Sequence, residues 1–193
     1  MMFANLFRSA PAPITIVSGL PRSGTSAMMQ MLQAGGLPLL VDDHRPPDAS
    51  NPRGYFEFAP VKRLAYGDQG WLPQAVGRVV KVVVPLVMSL PPDYRYQVIL
   101  MERDIDEIMR SQQAMSAGAT AELRQVTLAS LIQARRWLEQ QPNMRLLSVA
   151  HRQMLHAPGS VADQLADFLQ RPLNVATMAE AIDPDLYRQR LQP

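Results

Sequence analysis

Short apolar runs alternate with stretches of helical periodicity along most of the chain. Ile14-Thr15-Ile16-Val17-Ser18 is β-branched and ends at Gly19, which predicts a buried strand entering a tight loop. From Thr25 to Gln33 the residues are good helix formers with Met28, Met29 and Leu32 on one side, and Gly35-Gly36 ends the helix. Leu37–Val41 reads as a second strand. Val79–Val84 is nearly continuous β-branched sequence bounded by Pro85, and predicts a central strand. Tyr96–Met101 predicts another buried strand, running into a helix over Asp104–Met115 with Ile105, Ile108 and Met109 at helical spacing. Asp104 followed by Glu107 resembles an N-terminal capping arrangement. The longest helix is expected over Ala121–Gln141, where Leu123, Val126, Ser130, Ile132, Ala134 and Trp137 follow one stripe. Arg145–Val149 predicts a last strand. Val161, Leu165, Phe168 and Leu169 recur at helical spacing, and a helical pair broken near Asp183-Pro184 is expected from Asn174 to Pro193.

Strands alternating with helices predict a three-layer α/β fold, a central parallel sheet flanked by helices on both faces. At 193 residues the chain suits a single domain over 1–193, with 1–13 as a loose leader. The polar, proline-bearing stretch Asp42–Arg53 predicts a loop of the kind where substrates enter, followed by a short helix over Glu57–Ala65 and a glycine-rich connection holding Trp71. No apolar run approaches the ~18 to 20 residues of a membrane span. A net charge of +2 with dispersed basic residues lacks the footprint of a nucleic-acid binder. The absence of cysteine excludes disulfides, thiolate catalysis and sulfur-based zinc sites, and fits a reducing, cytoplasmic setting.

The most informative segment is Ser18-Gly19-Leu20-Pro21-Arg22-Ser23-Gly24-Thr25-Ser26, at a strand-to-helix junction. Backbone N–H groups at a helix N-terminus, with the dipole behind them, make an anion cradle, and glycines let the chain approach a phosphate closely. An ATP- or GTP-hydrolysing loop reads GxxxxGK followed by Ser or Thr. Here the Gly19-to-Gly24 spacing is kept, but Thr25 stands where that lysine belongs and Arg22 is the loop's only cation. The departure favours a ligand held by its 5′ phosphate without a metal. The segment resembles the 5′-phosphosulfate loop of bacterial and protein-tyrosine-type members of the P-loop sulfotransferase family. That resemblance implies a P-loop NTPase-like fold and binding of 3′-phosphoadenosine 5′-phosphosulfate (PAPS, product PAP). It also assigns Arg22 to charge stabilisation at the leaving phosphate, within a cradle of Gly19, Pro21, Ser23, Gly24, Thr25 and Ser26.

The same resemblance calls for a strand ending in Arg and a Ser eight residues later, together binding the 3′ phosphate. Arg103 and Ser111 supply it, roughly 10 Å apart along a helix and near the same face. Taken singly, a surface ion pair of Arg103 with Asp104 or Asp106 and a solvated Ser111 are the alternatives. Lys81, Arg188 and Arg190 are expected at the solvated surface, with a further phosphate contact as the alternative. Sulfuryl transfer also needs a base for the acceptor hydroxyl or amine. Asn51-Pro-Arg-Gly-Tyr-Phe-Glu57 resembles an acceptor-side segment of some sulfotransferases, which makes Glu57 the first choice; His44, which titrates near neutrality, is the alternative. His151 and His156 are expected in core or surface roles. Tyr55, Phe56 and Trp71 are candidate walls of a pocket for a small-molecule or carbohydrate acceptor. The competing functions are a P-loop nucleotide kinase or hydrolase and a non-catalytic PAP-binding module.

Overall fold

The computed structural model describes residues 11–48, 51, 53–113 and 121–183. Residues 1–10 of the expected leader, Pro184 and the rest of the tail, with Arg188 and Arg190, lie outside them. Four parallel strands form one sheet in the order β2-β1-β3-β4: β1 Ile14–Gly19, β2 Val79–Lys81, β3 Tyr96–Glu102 and β4 Met144–Ala150. Their alternation sorts side chains between two cores. Ile14, Ile16, Val80 and Val98 face Trp71, Leu90, Ala134 and Leu138, while Val17, Ile99 and Met101 face Met28, Met29, Val161 and Leu165. A parallel sheet flanked by helices is thus an α/β architecture, as the alternation predicts.

The helices are α1 Thr25–Ala34, α2 Leu72–Ala75, α3 Ile105–Gln113, α4 Ala121–Glu139, α5 His151–His156, α6 Pro158–Leu169 and α7 Val175–Glu180, with 3₁₀ turns at Ala59–Tyr66 and Leu86–Ser89. Asp104 caps α3, its carboxylate accepting from the Asp106 and Glu107 amides at 2.8 and 3.3 Å. The chain goes from β1 out to β2 on one side and then crosses to β3 on the other. Connections therefore diverge between β1 and β3, and the crevice beyond their carboxyl ends is where open α/β sheets bind ligands.

Three expectations change. Val79–Val84 is an edge strand, not a central one, and only Val79–Lys81 is regular; Val82 and Val84 still donate to the Val17 and Gly19 carbonyls before Pro85 turns the chain. Its apolar length reflects cover by Trp71, Leu72 and Leu90 rather than strands on both sides. Leu37–Val41 makes a single bridge, Leu39 to Val79, instead of a strand. Of the expected α4 stripe only Ala134 is buried, with Ser130 and Trp137 partly so, whereas Leu123, Val126 and Ile132 are exposed; the buried neighbour is Leu138. No helix among the described residues is long and apolar enough to cross a membrane.

Candidate functional site

The turn between β1 and α1 has a shape only its own residues permit. Gly19 has φ +144°, and a Cβ there would lie 2.5 Å from Ser23 Oγ and 2.8 Å from the Met101 carbonyl oxygen. Gly24, the N-cap of α1, has φ +98°, and a Cβ there would come within 2.4 Å of the His151 ring. Arg22 adopts φ +75° without being glycine, a conformation that costs about 1 kcal/mol or more and clusters at functional sites. Pro21 sits exposed at the tip. No side chain caps α1, so the positive end of the helix is left to the loop.

Two arms reach this loop from the far side of the switch point. Arg103, just past β3, donates from Nη1 to the Arg22 carbonyl at 2.9 Å and from Nε to Glu107 at 3.0 Å. Its side chain is 8% exposed and pairs with Glu107, in place of the surface pair with Asp104 or Asp106 given as the alternative. Ser111, buried on α3, accepts from Arg22 Nε at 2.9 Å. Arg22, Arg103 and Ser111 therefore form one cluster. Burial lowers the Arg22 pKa from its ordinary value, with Tyr55 opposing and Arg103 adding to the shift.

Lys81 is a correction to the sequence analysis. It ends β2 and is 7% exposed rather than solvated. Its ammonium donates to Ser26 Oγ at 2.9 Å and to the Tyr55 carbonyl. Burial pulls its pKa down to about 8, Glu57 opposing and Arg45 adding. Ser26 Oγ also accepts from Asn51 Nδ2 at 3.0 Å. A lone charge inside the run Val79-Val80-Lys81-Val82 was the signal that could have found it, since a buried cation needs a reason to be there. His151, the first residue of α5, was expected in the core or at the surface. It is buried against Gly24, and burial, with Arg103, lowers its pKa to about 4.

The candidate bases lie in a different setting. Glu57 Oε1 accepts from Arg45 at 2.8 Å and Oε2 lies 3.6 Å from Lys62. His44 has a side chain 79% exposed and sits 3.3 Å from Asp42. Tyr55 is buried, its hydroxyl donating to Asp48 at 2.7 Å, with the Arg45 guanidinium 3.3 Å above its ring. Trp71 is core, packed edge-on to Phe58. Phe56 is partly buried at φ +52°.

No protein-family profile and no curated protein matches the sequence. Among solved structures, the chain is similar to the sulfotransferase domain of the Synechococcus PCC 7002 olefin synthase, with 14% identity, TM-score 0.55, and coverage of 100% of this chain and 93% of that one. A sulfotransferase domain from the curacin biosynthetic pathway matches at 17% identity and TM-score 0.47, over 96% of this chain and 80% of that one. An unliganded sugar kinase from Janibacter sp. HTCC2649 matches at 16% identity and TM-score 0.47, over 86% and 98%. At such identities the olefin-synthase likeness is one of fold, and the chain has a sulfotransferase-like fold.

Proposed function

We propose that this chain is a PAPS-dependent sulfotransferase, moving a sulfuryl group to a hydroxyl or amine of a small-molecule or carbohydrate acceptor. The observation that carries the reading is the meeting of Arg103 and Ser111 with Arg22, three residues that the family resemblance assigns to one nucleotide. The loop fits the donor in a further respect: the buried Ser23 hydroxyl has no hydrogen-bond partner among the described residues, and a phosphate oxygen would satisfy it.

In this reading Gly19, Pro21, Ser23, Gly24, Thr25 and Ser26 hold the 5′ end, and Arg103 and Ser111 the ribose 3′ phosphate. The donor supplies an activated sulfuryl group on a phosphate leaving group. Arg22, Lys81 and the N-terminus of α1 place positive charge where the breaking S–O bond leaves its electron pair. Glu57 takes the proton of the acceptor as the new bond to sulfur forms, provided Arg45 releases it; His44 is the alternative. Lys81 also weighs against a magnesium-dependent hydrolase. Its ammonium sits on the hydroxyl of Ser26, the serine that would hold the metal in such enzymes, and would repel the ion.

Isothermal titration with PAP, ATP and AMP tests the assignment. Tight PAP binding that Arg103→Ala weakens by about 100-fold is the expected result, and equal affinity for ATP overturns it. The engagement of Glu57 by Arg45 and Lys62 favours a second reading, a non-catalytic PAP-binding module. Full PAP affinity with no transfer to a panel of alcohols, phenols, amines and sugars would decide for it.

A further inference from the structure

Beyond the carboxyl ends of β3 and β4 lies a cavity of about 290 Å³, lined by Glu102, Arg103, Asp104, Glu107, Ala150 and Arg152. It adjoins the phosphate loop through Arg103, which bonds the Arg22 carbonyl. The volume is at the low end for a ligand pocket, enough for one end of a nucleotide. Counted by formal charge the lining is acidic. Counted by partners it is the reverse. Glu107 is paired with Arg103 at 3.0 Å, Glu102 accepts from Arg135, and Asp104 accepts from two amides at the positive end of α3. Each carboxylate thus has a cationic or dipolar partner of its own.

Arg152 has none. It follows His151 at the start of α5, is exposed, and makes no hydrogen bond or ion pair among the described residues. The uncompensated charge in the cavity is therefore its guanidinium, since Arg103, which lines the same cavity, is already committed to Glu107 and to a main-chain carbonyl. A phosphate monoester carries close to two negative charges, more than one shared guanidinium neutralises. Resting on the PAPS reading, we infer that Arg152 is a further binding residue for the ribose 3′ phosphate. It lines the same cavity as Arg103, and in this reading it sets the preference for a 3′-phosphorylated nucleotide. Its planar fork gives bidentate contact without a metal.

Titration calorimetry of PAP and AMP against the wild-type chain, Arg152→Ala and Arg152→Lys tests this. Because Arg152 is exposed, the variants are expected to keep the wild-type melting temperature. Arg152→Ala should weaken PAP by about tenfold or more, as loss of a charge-assisted contact does, and leave AMP within about twofold. Arg152→Lys should restore part of the difference, since an ammonium keeps the charge and loses the fork. The salt dependence of PAP binding should also become shallower in Arg152→Ala. If wild type prefers PAP and Arg152→Ala leaves that preference intact, or weakens PAP and AMP alike, the role of Arg152 is overturned while the donor assignment stands. If wild type itself binds PAP no better than AMP, the donor assignment has failed.

Discussion

The two sides of the phosphate loop are built in opposite ways. On the Arg103 side, charges are buried, bonded to main chain and set by regular elements: Ser111 rides α3, Arg103 leaves β3, and both converge on Arg22. On the side of residues 42–58, charges are exposed and paired with one another across irregular backbone, as in Arg45 with Glu57 and His44 with Asp42. Buried polar clusters have few alternatives, whereas exposed pairs exchange partners for little. Under the proposed reading, the donor falls on the first kind of surface and the acceptor on the second. Lys81 and Ser26 join the loop to the second side through Tyr55 and Asn51.

The contrast can be broken from either side. Gly24→Ala should have the largest effect, forcing a Cβ into the His151 ring at positive φ; a loss of about 3 kcal/mol of stability and of measurable PAP binding is expected by denaturant titration and calorimetry. Arg103→Ala should weaken PAP by about 100-fold and destabilise the fold by about 3 kcal/mol, since Glu107 is left buried without its cation. For His151, the folded pKa of about 4 lies below the unfolded value near 6.5, so the unfolded chain binds more protons between them. Stability should fall by up to about 3 kcal/mol as pH drops through that window, and His151→Gln should flatten the dependence in melts run from pH 7 to 4.

Lys81→Met should weaken PAP about tenfold without loss of stability at pH 7, because an apolar side chain avoids the burial cost. Sign and window follow from its lowered pKa. The folded chain sheds this proton first, so wild-type stability rises between about pH 8 and 10.5, while the cationic contribution to anion binding fades earlier, as pH rises through about 8. Glu57→Gln should have the smallest effect on donor binding, within about twofold for PAP, with a stability change of about 1 kcal/mol or less. A strong fall in turnover in that variant, at unchanged PAP affinity, would sharpen the assignment of Glu57 as the base.

Much of the donor side was legible in the chain because it rests on local signals. A β-branched run, a glycine-bounded turn and a capped helix each announce themselves within about ten residues. Arg103 and Ser111 were reached through the family resemblance, which calls for an Arg after a strand and a Ser eight residues on, and the fold brings both to Arg22. Lys81 was signalled only by being a lone charge in a β-branched run; its place in the site depends on which strand lies beside β1, a question of sheet order that no local pattern answers. The same gap made Val79–Val84 look central. Its valines are covered by Trp71, Leu72 and Leu90 from separate stretches of chain, so continuous hydrophobicity did not mean two strand neighbours. Glu57 and His44 were identifiable as residue types, but their partners come from side chains free to pair locally, which spacing does not encode.

The carbonyl of Tyr55 accepts from both Lys81 and Ser26, so these two donors already have an internal occupant. An incoming anion that takes them trades one acceptor for another. Its measured affinity is then the difference between two grips on the same pair of groups, and substitutions that loosen the Asn51–Glu57 turn, such as Asn51→Ala, would strengthen the visitor by weakening the resident.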